Sequence, residues 1–466
     1  MSTPTSGVVE PVTAGAERGR AARAALPRGG LAAVATDRPG RDPVAEVLAQ
    51  EVDRLPDLIP LRHARMAASP LAFYRGTAGL MAADLSGSPH TGLLAQLCGD
   101  AHLSNFGVFG TPERRLVFDL NDFDETHPGP FDWDVKRLVA SIEVAARALG
   151  LGQDARRRAC RRTAREYREA IRSFAQARAV DVWYASLDAA DAGLGRRLGL
   201  DPTARRGWQR LTSRATSRDH RQAAARLTTL APEGERRFVS DPPLLVPASS
   251  YLTPDEVVTF RAGMEQLVEQ WRESLPADRR HLAARYRVVD VARKVVGVGS
   301  VGTRAWVLLL VGASSDDVLV LQAKEARASV LEAHLPPGPY AHPGRRVVEG
   351  QRLMQAASDV FLGWQDRVGL DGVPRAYYVR QLRDWKGAVD VERIRPEALV
   401  PYGRACAWTL ARAHARSGER VAIAAYLGSS SRADEAFARF AATYADQVER
   451  DHATFATAIT AGNLPS

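Results

Sequence analysis

Apolar residues along this chain change their spacing several times, and each change marks an element. Over residues 43–65 they recur every three or four positions, the stripe of an amphipathic helix. Ser69-Pro70 reads as another helix start, with Pro at the first helical position, and that helix carries Phe73, Tyr74, Leu80 and Met81. An apolar run over 93–98 has the length of a strand and stops at Gly99-Asp100. Further strands are predicted over 106–109 and 116–120, separated by the turn Gly110-Thr111-Pro112-Glu113. Helical spacing returns over 133–149 and 153–175. It continues over 200–230 with a basic face that includes Arg205, Arg210, Arg214 and Arg218. Asp241-Pro242-Pro243 breaks the pattern, and 254–285 are helical again.

At about Tyr286 the texture switches to strands, over 288–298, 304–311 and 318–323. A polar turn from Gly312 to Asp317 joins the last two. Another strand is predicted over 376–382, and helices over 345–357, 404–417 and 433–460. Residues 1–40 are rich in Ala, Gly, Pro, Thr and Arg without periodicity and read as a disordered tail. The mixture predicts an α+β protein.

Composition adds three points. The chain has 466 residues, enough for two or three parts with their own cores. No run of 18 apolar residues predicts a membrane span, and the N-terminal stretch lacks the apolar segment of a secretory signal. Cys98, Cys160 and Cys406 are too far apart for a zinc pattern or a disulfide framework, so a cytoplasmic location is expected. The net charge of +9 is carried by Arg, with lysine only at positions 136, 294, 324 and 386. A lysine in such a chain is informative, because Arg serves elsewhere as the surface cation.

The chemistry concentrates in two places. Gly99-Asp100-Ala101-His102-Leu103-Ser104-Asn105 follows a strand and spaces Asp and Asn as the kinase catalytic loop does, Asp-x-x-x-x-Asn. In that chemistry Asp100 orients the attacking hydroxyl and Asn105 binds a metal ion. The segment is similar to the His-Gly-Asp-x-His-x-x-Asn of aminoglycoside phosphotransferases. Asp119-Leu120-Asn121-Asp122-Phe123-Asp124-Glu125 is similar to their metal-binding Asp-Phe-Asp, with Asp122 the first choice of ligand and Asp119 the second. Phe131-Asp132-Trp133-Asp134 resembles the start of their next helix.

The second place is Gly297-Val298-Gly299-Ser300-Val301-Gly302. This Gly-x-Gly-x-x-Gly also marks dinucleotide-binding folds, but there it leads into a helix, and here strands are predicted on both sides. Gly297, Gly299, Ser300 and Gly302 would cradle phosphates, and Lys324, one strand later, would contact them. Glu349, or else Glu332, is the expected carboxylate partner of Lys324. The 376–382 strand would lead to a hinge and offer its backbone to adenine.

The glycine loop comes after the catalytic loop, the reverse of the usual kinase order, so the parts read as circularly permuted. From Arg65 onward the chain resembles the bacterial domain-of-unknown-function 2252 family. The matching stretches are 73–76, 99–107, 118–126, 351–358 with 361–364, 378–387 and 410–418. The resemblance implies a protein-kinase-like two-lobe fold, with a helix-rich catalytic lobe and a small antiparallel-sheet nucleotide lobe. The expected division is a tail (1–40), a catalytic part (41–180), a helical insertion or lid (181–285), a nucleotide part (286–385) and closing helices (386–466).

The reading is an ATP- and Mg2+-dependent phosphotransferase acting on a small-molecule hydroxyl. The alternative is a nucleotide-binding pseudokinase with a regulatory or scaffolding role. Nucleic-acid binding through 205–226 ranks last, because that stretch interleaves no aromatic but Trp208.

Overall fold

The computed structural model describes residues 11–465 apart from 192, 218–219, 233, 296, 298, 370 and 383–384. Residues 1–10 of the expected tail, Val298 of the glycine motif and Arg218 of the basic stretch thus lie outside the described residues. Helix makes up 53% and strand 16%, which makes the chain α+β.

One half is built on a six-stranded antiparallel sheet. Its spatial order is Gly363–Val368, Pro374–Gln381, Val318–Ala326, Ala305–Val311, Arg287–Lys294 and Leu245–Pro247. Ala305–Val311 and Val318–Ala326 are buried along their whole length, because the sheet is covered on both faces. Leu308, Leu310, Leu319 and Leu321 pack on Phe260, Met264, Leu267 and Trp271 of the helix Pro254–Glu273. Val307, Leu309 and Val320 face the other way, toward Ala224, Phe238 and Leu245. Residues 181–285, expected as an insertion or lid, therefore supply an edge strand and a covering helix to this sheet.

The other half is helical. The helices Phe131–Ala148, Gln153–Gln176, Pro396–Ser417 and Arg432–Thr460 share the largest apolar core. Two small sheets are set into it. Leu94–Leu97 pairs with His127–Pro130, and Phe106–Gly110 pairs with Leu116–Leu120. Leu97 lies opposite His127 and Phe106 opposite Leu120, so the loops 98–105 and 121–126 leave paired strands side by side. This pairing brings the two acidic motifs together.

The 1–40 stretch is not a disordered tail where it is described. Val12–Ala25 is a helix with Gly15 and Gly19 buried, packed on the helix Arg420–Leu427. Leu31 is fully buried in the helical core. The Ala- and Gly-rich composition that reads as disorder allows this close helix contact. The strand predicted over 376–382 is present as Pro374–Gln381. Over residues 376–379 it pairs with neighbours on both sides, so its backbone there is engaged within the sheet rather than free for a purine. Among the described residues no helix is long and apolar enough to cross a membrane.

Candidate active site

The two halves meet at a cleft of about 1150 Å3. Its floor is the loop after Leu94–Leu97, in which Gly99 has φ +80°. A Cβ there would lie 2.1 Å from the Glu125 carbonyl oxygen, so both the left-handed backbone and the close approach demand glycine. Asp134, in the first turn of Phe131–Ala148, accepts hydrogen bonds from the amides of Cys98 (2.7 Å) and Gly99 (3.0 Å). His414 backs Asp134 through Nε2 at 3.2 Å, and the Tyr167 hydroxyl meets His414 Nδ1 at 2.7 Å. A buried chain of three side chains thus fixes the residue before Asp100.

The Asp100 carboxylate accepts from Arg137 Nε at 2.9 Å and faces His102 Nε2 at 3.4 Å. His102 Nδ1 accepts from the Ser104 amide (3.1 Å), which leaves the proton on Nε2, toward Asp100. Burial pushes the Asp100 carboxyl up, but His102 and Arg137 outweigh it and hold it well below the ordinary carboxylate range. Asp100 is therefore an ionised hydrogen-bond acceptor and a weak base.

Asn105 ties the two loops. Its Nδ2 donates to the carbonyls of Asp100 (3.0 Å) and Asp122 (2.9 Å), and its Oδ1 accepts from the Asp122 amide at 2.7 Å. Beyond it, Lys324 reaches from the centre of the large sheet. Its ammonium lies 3.4 Å from Asp122 Oδ2 and makes a close ion pair with Asp124. The Tyr378 hydroxyl donates to the other Asp124 oxygen at 2.8 Å. Burial raises Asp122, but Lys324, Arg380 and Lys386 prevail and bring it to about 2. Asp124 moves the other way, raised by burial and then by the Asp122 charge. Lys324 is driven upward, since the two carboxylates outweigh the cost of its burial. Asp122 Oδ1 is buried with no hydrogen-bond partner.

The described residues of the glycine loop, Gly297 and 299–302, lie between Arg287–Lys294 and Ala305–Val311. Gly297, with φ +58°, Gly299 and Ser300 line the cleft, and the Ser300 hydroxyl lies 3.4 Å from Asp124 Oδ2. Gly302 instead turns under residues 54–55, its carbonyl accepting from the Leu55 amide at 2.7 Å. Arg65 and Arg62 donate to the carbonyls of Gly297 (2.9 Å) and Gly299 (3.3 Å), which ties the loop to the N-terminal region.

Asp100, Asn105, Asp122, Gly297, Gly299 and Ser300 therefore converge on one cleft, with Lys324 beneath the aspartates. Besides Gly302, three sequence-predicted residues are not brought to the places expected of them. Asp119 points into the helical core, where its carboxylate pairs with Arg412 at 2.5 Å and accepts from the Ala356 amide at 2.8 Å. A metal ion in the cleft cannot reach it. Glu349 pairs with Arg352 on its own helix and Glu332 with Arg346, so neither is the partner of Lys324. Asp124 and Asp122 hold that place, because Lys324 points toward the acidic loop rather than toward the helix Pro343–Met354.

The sequence reading missed Arg75, Arg137, Tyr378 and Arg380. In a chain whose surface charge is Arg, an Arg carries no signal. A Tyr in an apolar strand looks like core. Lys386, on the cleft wall, had the signal of lysine rarity.

Among the described residues, no group of three or more His, Cys, Asp or Glu side chains is arranged to hold a metal ion by itself. Residues 54–458 match the model of a family described as "Uncharacterized protein conserved in bacteria (DUF2252)". No curated protein and no solved structure matches the chain.

Proposed function

The chain belongs to the DUF2252 family, and from the geometry of its cleft we propose that it is an ATP- and magnesium-dependent phosphotransferase with a kinase-like fold in permuted order. The observation that carries this reading is the meeting of Lys324 with Asp122, 202 positions away in the chain, between a glycine loop and an Asp-x-x-x-x-Asn loop. A pairing so remote in sequence is what a nucleotide site assembled from two halves requires.

The permuted order has its own support. The helix Pro396–Ser417 ends against the strand that leads into the Asp100 loop. The Glu419 amide donates to the Leu94 carbonyl at 3.1 Å, and the Glu419 carboxylate accepts from the Leu94 amide at 2.9 Å. An ordinary kinase joins such a helix to its catalytic loop covalently, and here hydrogen bonds span the junction.

In the proposed reaction the oxygen of an acceptor hydroxyl forms a bond to the γ-phosphorus of ATP. The bond from that phosphorus to the β,γ-bridging oxygen breaks, and ADP leaves with the electron pair. The acceptor proton passes to solvent by way of Asp100. Because Arg137 and His102 keep Asp100 ionised, its main task is to orient the hydroxyl. The glycine loop and Lys324 bind the triphosphate. The residues fit a magnesium ion: Asp122 has a buried oxygen without a partner, and Asn105 Oδ1 keeps a second lone pair. Magnesium characteristically takes one or two carboxylates and fills its shell with phosphate and water. Bound there, it would neutralise charge on the phosphates. The acceptor is proposed to be a small molecule.

The test is ATP turnover, as hydrolysis or as transfer into a pool of small metabolites, by wild type and Asp100→Asn. The account expects turnover to fall by about 10²–10⁴-fold while ATP affinity is kept. Unchanged turnover, or loss of ATP binding in the variant, contradicts the role of Asp100. ATP binding by wild type with no turnover at all favours the pseudokinase reading.

A further inference from the structure

Arg75 lies outside the glycine and aspartate motifs, although it stands in the 73–76 stretch of the family resemblance. It is the next-to-last residue of the helix Pro70–Gly76, and it is half-buried in the cleft wall. Its Nε is buried and has no hydrogen-bond partner. A guanidinium nitrogen withdrawn from water without a partner is costly unless a ligand completes it.

The backbone on either side of Arg75 is held by both parts of the cleft. On one side, the Tyr74 carbonyl accepts from Arg137 at 2.7 Å, and Arg137 stacks on the Tyr74 ring at 3.9 Å. Arg137 is the residue that holds Asp100. On the other side, Arg62 donates both to the Gly76 carbonyl (3.2 Å) and to the Gly299 carbonyl of the glycine loop (3.3 Å). A Cβ on Gly299 would sit 3.4 Å from the Arg75 carbonyl oxygen. The backbone that carries Arg75 is thus tied both to the residue that holds Asp100 and to the glycine loop, and Arg75 lines the cleft with Asp100, Gly299 and Ser300, between which the transferred phosphoryl group would pass.

We propose that Arg75 binds the terminal phosphate of the nucleotide and discriminates a triphosphate from a diphosphate. The inference rests on the phosphotransferase reading above. A planar guanidinium suits this role, because its fork matches two phosphate oxygens.

The experiment is calorimetric titration of ATP and of ADP, each with magnesium, into wild type, Arg75→Gln and Arg75→Lys, with Lys324→Ala as reference. Wild type is expected to bind ATP more tightly than ADP. Arg75→Gln should lose about 10–100-fold in ATP affinity, the worth of a charge-assisted hydrogen bond, and keep its ADP affinity, which also shows that it is folded. Arg75→Lys should recover part of the ATP affinity. Equal weakening of both nucleotides, no change in either, or equal ATP and ADP affinities in wild type overturns the role of Arg75. If Lys324→Ala still weakens both nucleotides in those cases, the phosphotransferase reading stands without it. Binding of neither nucleotide by wild type overturns both.

Discussion

Replacing Asp119 by Asn separates support of the fold from the chemistry of the cleft. The Asp119–Arg412 pair is 1% exposed at both ends. The carboxylate also accepts from the amides of Leu120 (2.9 Å) and Ala356 (2.8 Å). Asn keeps an acceptor for one of these but leaves the Arg412 guanidinium buried without a counter-charge. Arg412 has little else, since its Nη1 already lacks a partner. Its next cationic neighbour, Arg416, is depressed to about 10 by burial and then by Arg412 itself. Breaking a buried ion pair by removing one partner costs about 3–5 kcal/mol. With about 2.1 cal/mol/K of unfolding entropy per residue, a 466-residue chain that melts as one unit loses about 3–5 °C in Tm. Thermal and urea unfolding measure this loss, and ATP titration of the same protein should give wild-type affinity. The double variant Asp119→Asn/Arg412→Met should recover much of the stability, because the orphaned charge is gone. A destabilisation below about 1 kcal/mol, or loss of ATP affinity in a folded Asp119→Asn protein, refutes the assignment of Asp119 to the fold.

Two further outcomes follow from the same loops. Gly99→Ala places a Cβ 2.1 Å from the Glu125 carbonyl at φ +80°. Backbone strain alone costs about 1–3 kcal/mol. Urea unfolding should show that loss together with weaker ATP binding, and a variant unchanged in both would contradict the close packing of the two loops. The pH dependence follows from Asp122, held at about 2 against an ordinary value of about 3.9. Its contribution to stability is complete above about pH 4 and is lost as pH falls through about 2. Asp124, being raised, contributes in the opposite sense, with stability lost as pH rises through its own folded value. Asp122→Asn should therefore lessen the loss of stability between pH 4 and 2 and move the Asp124 titration downward. Urea denaturation across pH 2–8 and carboxylate NMR titration read these two effects, and an unmoved Asp124 would contradict the coupling.

Much of the candidate site was legible because its signals are local. The glycine motif between two apolar runs, the scarce Lys324, and the strand-ended Gly99-Asp100 are each visible within a few residues. What was not legible depends on long-range contact. Asp119 and Asp122 look alike in sequence, and what separates them is Arg412, 293 positions from Asp119. Lys324 finds its partner 200 positions back in the chain, at Asp124, rather than on the following helix. Val12–Ala25 has almost no amphipathic stripe, and its helix is held by packing on Arg420–Leu427, a surface that only the folded chain presents. Gly363–Val368, with Gln, Asp and Arg in its six residues, lacks the alternation of a strand and is fixed at the sheet edge by pairing with Pro374–Gln381.

The central claim is that the two distant motifs make one nucleotide site, and calorimetric titration of ATP with and without magnesium tests it most directly. The proteins needed are wild type, Lys324→Ala and Asp122→Asn. The account predicts magnesium-dependent ATP binding by wild type, weakened by about 10-fold or more in each variant, as expected for losing a charged contact. Folded wild-type protein that binds neither ATP nor GTP, or binding that both substitutions leave untouched, would contradict it.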